Sequence, residues 1–445
     1  MVKNMTEGKP FELILKFAIP MLIGNLFQQA YNVVDMVIVG KYVGPDALAA
    51  VGTTGTLLFF MIALINGLCN GAGIVISQYF GSKNYEGLKK TVVSLGYIIL
   101  LLTIFVSIIG NVGSLYFLRL LQVPEDIIMD SNAYIKICFS YIIGLTLYNG
   151  ASSVLRSLGD SRTPLYALIV ATITNIALDL IFVIYFHMGV KGVAYATVIA
   201  QILSSIVCIY QIVKQRKELY LTELKLKPDR QALFLIFKTG VPAALQSSLI
   251  ALGSMSVQGL INSFGTVVMS AYAAVQKIDS VAIQVIVSLG TSLSVYTGQN
   301  IGSGNMKRIK QGLHQTLIMM TTASVTIAIV VLLYKKNLLS LFLDSTTSIE
   351  SIEVGMSYLT IIGIAYVIAG IMNSYLNLIR GAGDVNTSMV AGLAELSARI
   401  LFAYILVKPL GITGVWLATP ISWGCGCIIP VVRYYSGKWK SKRII

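Results

Sequence analysis

The chain has 445 residues, of which 56% are hydrophobic and only 12% charged, and its mean hydropathy is +0.79. Soluble chains carry about 25% charged residues, so this composition excludes a water-soluble globular protein. The net charge of +14 would suit a nucleic-acid-binding protein, but in a membrane protein it indicates basic cytoplasmic loops, and we expect no nucleic-acid partner.

Twelve apolar segments follow one another along the chain, and several exceed the roughly 20 residues needed to cross a bilayer. They lie at 11–39, 47–80, 91–118, 131–158, 162–187, 191–214, 230–264, 268–300, 312–343, 351–380, 385–408 and 411–435. The sequence therefore predicts an all-α integral membrane protein with twelve membrane-spanning helices, here called spans 1 to 12. Bends are expected at the prolines within them.

The distribution of basic residues predicts how the spans are oriented. The first ten residues are polar and lack the apolar core of a signal peptide, so we expect a cytoplasmic N-terminus. With that orientation the cytoplasmic segments hold 24 Lys and Arg residues and the external segments hold 6. Because cytoplasmic loops carry an excess of Lys and Arg, both chain ends are predicted to lie on the cytoplasmic side of the cell membrane. The basic loops on that side attract anionic lipid.

Residue types that would support enzyme chemistry are scarce. The two histidines, His187 and His314, lie far apart at span ends, and all five cysteines fall in apolar stretches. A membrane-embedded enzyme would need a nucleophile–base pair or a metal cluster in its spans. We therefore expect neither an enzyme nor a cofactor.

The chain contains two copies of one six-span unit. Residues 189–197 match residues 411–419 at five of nine positions, with an offset of 222. Three further matches stand at nearly the same offset: Pro20 with Pro242, Gln78–Gly81 with Gln299–Gly302, and Arg156–Asp160 with Arg380–Asp384.

The repeat predicts an N-terminal lobe at 1–213, a basic cytoplasmic linker at 214–230 and a C-terminal lobe at 231–445. Because each copy has an even number of spans, both lobes face the same way, related by a pseudo-two-fold axis along the membrane normal. Two such lobes with a cleft between them suit alternating access within a monomer. A passive channel remains an alternative, although no sequence repeats as a filter.

Charged residues inside spans are functional candidates because each costs several kcal/mol there. The N-terminal lobe carries Asp35 in span 1 and Asp179 in span 5. Among its basic residues, only Lys136, near the outer end of span 4, is not counted above with the cytoplasmic or external segments. Uncompensated carboxylates in a low dielectric must take up protons or hold a cation.

Oxygen-bearing side chains accompany the two aspartates. Asn175 lies one helical turn before Asp179, Thr197 ends the repeated motif in span 6, and Asn149 lies midway along span 4. Carboxylate, amide and hydroxyl oxygens suit Na⁺ or protons rather than soft metals. The alternative is that these polar residues only join helices by hydrogen bonds.

The C-terminal lobe carries a different set of charges. Lys277 and Asp279 lie in span 8, Glu395 and Arg399 lie in span 11, and the four formal charges sum to zero. Glu395 and Arg399 are spaced to pair on one helix face. We regard these four residues as a possible secondary polar site, with a structural ion pair as the alternative for Glu395 and Arg399.

Taken together, these features resemble the multidrug and toxic compound extrusion (MATE) family. The resemblance covers the whole chain and includes the span 1 run Gln28–Gly40 and the Asn175-x3-Asp179 pair. It implies a V-shaped bundle of spans 1–6 against spans 7–12, and cation-coupled export of organic, often cationic and lipophilic, compounds. It also implies that the first lobe binds the coupling ion through Asp35, Asn149, Asn175, Asp179 and Thr197.

Two questions stay open at this point. The coupling ion is H⁺ or Na⁺, and we favour H⁺ because it requires only two buried carboxylates close together, whereas Na⁺ also requires several aligned ligands. The alternative function is a flippase for a lipid-linked precursor or oligosaccharide. A pyrophosphate would favour a cationic cleft, which the negative first lobe and neutral second lobe do not provide.

Overall fold

The computed structural model of this protein describes residues 4–344 and 348–445, and within these ranges the chain forms helices and loops without strands. The helices are α1 (Pro10–Ile38), α2 (Pro45–Gly81), α3 (Tyr85–Leu120), α4 (Glu125–Ser140), α5 (Ile143–Ser157), α6 (Arg162–Leu180), α7 (Gly189–Lys214), α8 (Arg230–Asn262), α9 (Thr266–Gly302), α10 (Met306–Leu339), α11 (Ile349–Gly381), α12 (Val385–Leu410) and α13 (Ile412–Tyr435). Short π-helical segments extend α1 by Val39–Val43 and α6 by Ile181–Tyr185, and a 3₁₀ turn covers Lys438–Lys442.

The twelve predicted spans are confirmed. In the described part of the chain, eleven helical segments are each long and apolar enough to cross a membrane, and the bent pair α4–α5 meets the same criterion as one span. Helices α3 and α10 begin earlier than predicted because Asn84 and Asn305 cap them. The Asn84 side chain accepts a hydrogen bond from Gly87 N at 2.9 Å, and Asn305 accepts one from Arg308 N at 3.2 Å.

Span 4 contains a break that no proline explains. The axes of α4 and α5 differ by 48°, and the break lies at Tyr141 and Ile142. At this point the backbone makes a tighter turn, in which Gly144 N donates to Tyr141 O at 3.4 Å. Ser140 Oγ also donates to Asn111 Oδ1 of α3 at 3.0 Å. The prediction of bends at prolines therefore did not include this bend. It coincides with a local turn and a polar contact between Ser140 and Asn111.

The helices form two compact units. Unit 1 consists mainly of Ile19–Ala244, and unit 2 consists of Met5–Ala18 together with Leu245–Ile445. Helices α1 and α8 therefore each contribute their first part to one unit and the rest to the other.

The predicted lobe bounds assign residues 1–213 to one lobe and 231–445 to the other. The two units have different bounds, because α1 and α8 each contribute residues to both, an arrangement here called the exchange. The two divisions fall beside Pro20 and Pro242, which occupy equivalent positions in the repeat. Because proline lacks the backbone N–H, each removes one intrahelical hydrogen bond at the point where its helix passes from one unit to the other.

The segment leading into α1 is held on unit 2 through its backbone. Met5 N donates to Gln299 Oε1 at 2.8 Å, and Asn300 Nδ2 donates to Met5 O at 3.0 Å. Arg308 Nη1 donates to Gly8 O at 2.9 Å, and Met5 is fully buried. Since Gln299 opens one of the repeated sequence matches, that match has a structural role in unit 2: it binds the segment preceding α1.

The first half of α8 packs on α2 in unit 1 through glycines. A side chain placed on Gly71 would collide with the backbone of Gly240, and one placed on Gly67 would collide with Ala244. Gly67 and Gly71 are four residues apart, the spacing that lets two membrane helices approach closely. Small residues at these positions are therefore required for the exchanged half of α8 to join unit 1.

We predict that Gly71→Leu destabilises the protein, by about 1–3 kcal/mol or more, because the added side chain has no space between α2 and α8. The measurement is thermal unfolding of the purified protein in detergent. The matched control is Gly96→Leu on α3, an exposed position where an added Cβ would meet no neighbouring atom within 4 Å. Equal unfolding temperatures for the two variants would contradict the prediction.

Candidate functional site

The two aspartates of the first lobe meet inside unit 1. Asp35 lies near the end of α1 and Asp179 near the end of α6; Asp35 is 8% exposed and Asp179 is fully buried. Their carboxyl groups are close enough to interact directly. Each aspartate lies just before the π-helical segment that extends its helix, and such segments widen a helix locally and are frequent at functional sites.

Two further predicted residues are buried in the same unit. Asn175 is on α6, one turn before Asp179, and is fully buried; Thr197 on α7 is 7% exposed. Three helices, α1, α6 and α7, thus supply the four residues of the polar cluster, which we define as Asp35, Asn175, Asp179 and Thr197.

The polar cluster leaves its hydrogen-bonding capacity unused. Five of its buried oxygen atoms have no hydrogen-bond partner of ordinary geometry among the described residues: Asp35 Oδ1, Asn175 Oδ1, both Oδ atoms of Asp179, and Thr197 Oγ1. Buried polar atoms are nearly always satisfied, and an unsatisfied one costs about 1–3 kcal/mol. Five in one place make the polar cluster a candidate site for a proton or an ion.

Three residues that sequence reasoning missed line the polar cluster. Tyr31 of α1 lies beside Asp35 and Thr197. Tyr134 of α4 also lies beside Thr197, and Cys138 of α4 is within electrostatic range of Tyr31. Tyr31 precedes Asp35 by four residues, so the helical period could have placed both on one face. Tyr134 could have been found from the repeat, because it stands 224 residues before Tyr358, a residue that likewise lies beside the threonine of its own repeat, Thr419.

An apolar layer covers the polar cluster at the end of unit 1 where α1 and α6 finish. Its buried members include Ile38 and Val39 after Asp35, Val183 after Asp179, and Val193 and Ala194 before Thr197. These side chains keep that end of the cluster dry. A low dielectric strengthens every electrostatic interaction of the two carboxylates.

No positive charge balances the two carboxylates within the described part of unit 1. Lys136, the basic residue of span 4, is exposed although it lies between Tyr134 and Cys138 on α4. Arg156 lies at the other end of span 4, where its Nε donates to Ser152 O at 3.3 Å. The uncompensated pair predicted from the sequence is therefore present in the fold.

Asn149 is placed differently from the other predicted site residues. It is partly buried on α5, and its Nδ2 donates to Leu145 O of the same helix at 2.9 Å. Within the described residues no hydrogen bond joins it to the polar cluster. Its predicted role as an ion ligand has no support from these contacts.

The charged residues of the second lobe lie in unit 2. Arg399 Nη2 donates to Glu395 Oε1 at 3.0 Å, so the expected pair on α12 forms. Tyr366 of α11 donates its hydroxyl to Asp279 Oδ1 at 2.9 Å. Lys277 is exposed on α9, and among the described residues no ion pair joins it to this network, as its i,i+2 spacing from Asp279 suggests.

We predict that Arg399→Ala lowers the free energy of unfolding by about 3 kcal/mol, because it leaves the Glu395 carboxylate buried and unpaired. Thermal unfolding in detergent measures the loss. Lys16→Ala is the matched control, since it breaks another i,i+4 pair, Glu12–Lys16, whose side chains are about half exposed. A loss as small as that of the control would contradict the prediction.

Comparison with known proteins gives two matches to one family within this chain. The MatE family matches residues 20–181 and 242–405. The matches begin at Pro20 and Pro242, so the family unit occurs twice in the register that the internal repeat predicts. "Probable multidrug resistance protein YoeA" of Bacillus subtilis (strain 168) is 31% identical over 438 residues, covering 96% of this chain and 94% of that protein.

Solved structures share the fold. A crystal structure of MATE in complex with MaL6 superposes with a TM-score of 0.92 at 23% identity, covering 99% of this chain and 100% of the other. The outward-facing conformation of a multidrug resistance MATE family transporter of the MOP superfamily gives a TM-score of 0.91 at 23% identity, covering 98% of each chain. These likenesses confirm the fold class predicted from the sequence.

Proposed function

This chain belongs to the MatE family of multi-pass membrane transporters, and from that premise we propose that it is a cation-coupled antiporter that exports organic, often cationic and lipophilic, compounds by alternating access. A family of transporters rather than enzymes agrees with the lack of catalytic constellations in the sequence. The proposal places the protein in the cell membrane with both chain ends in the cytoplasm.

The observation that carries the proposal is the polar cluster of unit 1. Its two carboxylates are close enough to influence each other's charge, and no described basic residue neutralises them. Five of its buried oxygens have no hydrogen-bond partner of ordinary geometry among the described residues. Such a cluster is costly unless it is occupied for part of the working cycle. An exchanged cation stabilises the cluster when bound and restores its negative charge when released.

A proton is the coupling ion that we favour. Two carboxylates in contact repel each other when both are ionised, and one shared proton removes this repulsion and supplies the missing hydrogen bond. Na⁺ is the alternative, since carboxylate, amide and hydroxyl oxygens are hard ligands. In that case the Oδ atoms of Asp179, Asn175 Oδ1 and Thr197 Oγ1 would hold the ion together with Asp35.

The proposed cycle is an exchange. An ion entering from outside lowers the negative charge shared by Asp35 and Asp179, displaces the cationic substrate outward, and favours return to the inward-facing state. Release of the ion to the cytoplasm restores the negative cluster, which again favours a cation. Substrate and ion thereby use the same carboxylates in alternation, and neither crosses without the other.

The substrate class follows from charge and from the relatives. YoeA is described as a probable multidrug resistance protein, and we extend that class to this chain. A negative, partly apolar site favours lipophilic cations. The same negative charge disfavours a flippase, because a lipid-linked pyrophosphate would be repelled by Asp35 and Asp179.

We predict that Asp35→Asn and Asp179→Asn each abolish the drug resistance that the protein confers, while membrane insertion and folding are retained. Each substitution removes a charge and keeps the shape of the side chain. Asn175→Ala should reduce resistance less, because it removes one neutral ligand. The measurement is the inhibitory concentration of ethidium in cells lacking other efflux pumps, with expression checked by immunoblot. Resistance at the wild-type level in cells that express Asp35→Asn would contradict the proposed coupling role of Asp35.

The coupling ion is tested with purified protein in lipid vesicles. We expect full efflux of ethidium under an imposed pH gradient without Na⁺, because one shared proton removes the repulsion between the two carboxylates. Asp35→Asn vesicles under the same gradient are the control. If transport appears only after a Na⁺ gradient is added, the ion is Na⁺ and the assigned residues keep their roles.

A further inference from the structure

Unit 2 contains a network of charged residues with an unbalanced negative charge. Asp279 of α9 is within electrostatic range of Arg399 of α12, which is paired with Glu395. Lys277 would balance the set, but its side chain is exposed. One guanidinium, that of Arg399, is therefore shared by two carboxylates, Asp279 and Glu395.

Arg399 is already committed to another carboxylate. Its Nη2 lies 3.0 Å from Glu395 Oε1, and its Nε lies 3.4 Å from Ser422 Oγ of α13. Within the described residues no Lys or Arg lies within 4.0 Å of the Asp279 carboxylate. The hydrogen bond that Asp279 accepts, from Tyr366, comes from a neutral hydroxyl and leaves its negative charge in place.

Asp279 also differs from Glu395 in its accessibility. Glu395 is 7% exposed and is enclosed with its partner, whereas Asp279 is partly exposed. The accessible carboxylate is thus the one without an ion pair.

The surroundings of Asp279 are aromatic. The ring of Tyr366 stacks with that of Trp423 at 6.4 Å. Tyr272 and Tyr358, stacked at 5.9 Å, both lie within electrostatic range of the Asp279 carboxylate. Aromatic faces attract organic cations and provide apolar contact area, but they offer little to a small hydrated ion.

We propose that Asp279, oriented by Tyr366, is a second binding site, in unit 2, for the positive charge of a lipophilic organic cation, additional to the exchange at Asp35 and Asp179. This rests on the proposed function, which supplies the substrate class, but uses residues other than the coupling site. The Glu395–Arg399 pair lies within α12, and Arg399 Nε also donates to Ser422 Oγ of α13. The coupling ion belongs to unit 1, and Asp279 contributes to which substrates are bound.

The test is equilibrium binding of tetraphenylphosphonium, a permanent lipophilic cation, to the purified full-length protein in detergent. We expect Asp279→Asn to raise its dissociation constant about tenfold or more, since a single charge is removed without loss of volume. Asp279→Glu keeps the charge and should recover most of the affinity. Tyr366→Phe should weaken binding less than Asp279→Asn, because it removes only the orienting hydroxyl.

Two controls separate a charge effect from general damage. Lys277→Gln, two residues away on the exposed face of α9, should leave the dissociation constant within about twofold. Triphenylphosphine oxide, a neutral compound of similar shape, should bind equally well to the wild type and to Asp279→Asn. Equal weakening for both compounds, or an unchanged affinity for tetraphenylphosphonium in Asp279→Asn, would overturn the proposal.

The binding measurement also separates this proposal from the proposed function. The binding measurement imposes no ion gradient. If the coupling site is not at Asp35, the transport assays will show it, and the comparison of binding between the wild type and Asp279→Asn stays valid. Conversely, if Asp279→Asn shows normal coupling and unchanged binding, the proposed site at Asp279 is wrong and the proposed function is unaffected.

Discussion

The repulsion between two buried carboxylates governs the design of unit 1. Asp35 and Asp179 are close enough to influence each other's charge, and no described basic residue offsets them. Where a buried carboxylate serves structure alone, an arginine beside it balances the charge, as Arg399 does for Glu395 in unit 2. A transporter can use the repulsion, because a site that is unfavourable when empty and favourable when occupied releases and rebinds its ion with the working cycle.

Helix α1 connects this electrostatic site to the rest of the chain. Its later part carries Asp35 in unit 1, and the segment before its first part is held in unit 2 by Gln299, Asn300 and Arg308. At 1.5 Å per residue, the 29-residue helix is about 44 Å long. Helix α1 is one continuous helix that lacks a backbone hydrogen bond at Pro20. It therefore links the residue Asp35 of unit 1 covalently to unit 2.

Much of the fold and the site could be predicted from the sequence, because membrane spans are long apolar runs and charged residues within them are rare. The twelve spans follow from hydropathy, and Asp35, Asp179 and the Glu395–Arg399 pair follow from charge and spacing. The exchange of α1 and α8 between units does not, since it depends on close packing at Gly71 and Gly240 between distant segments. The break at Tyr141 depends likewise on a turn that carries no proline.

The limits at the site have similar causes. Asn149 and Lys277 have the right residue types, but their side chains are directed elsewhere, and orientation is set by helix rotation within the bundle. Tyr31 and Tyr134 were passed over because tyrosines are common in spans. The position of Tyr134 near this site emerges only when α1, α4 and α7 pack together, whereas the nearness of Tyr31 to Asp35 follows from the helical period.

The central claim, that substrate and coupling ion exchange at Asp35 and Asp179, is tested most directly by counting the ions released when substrate binds. The purified protein is mixed with tetraphenylphosphonium in weakly buffered solution, and the protons released are followed with a pH-sensitive dye, with Na⁺ release followed in a parallel sample. The wild type should release about one cation per bound substrate, and the Asp35→Asn/Asp179→Asn double variant should release none. Equal release from the double variant would contradict the account.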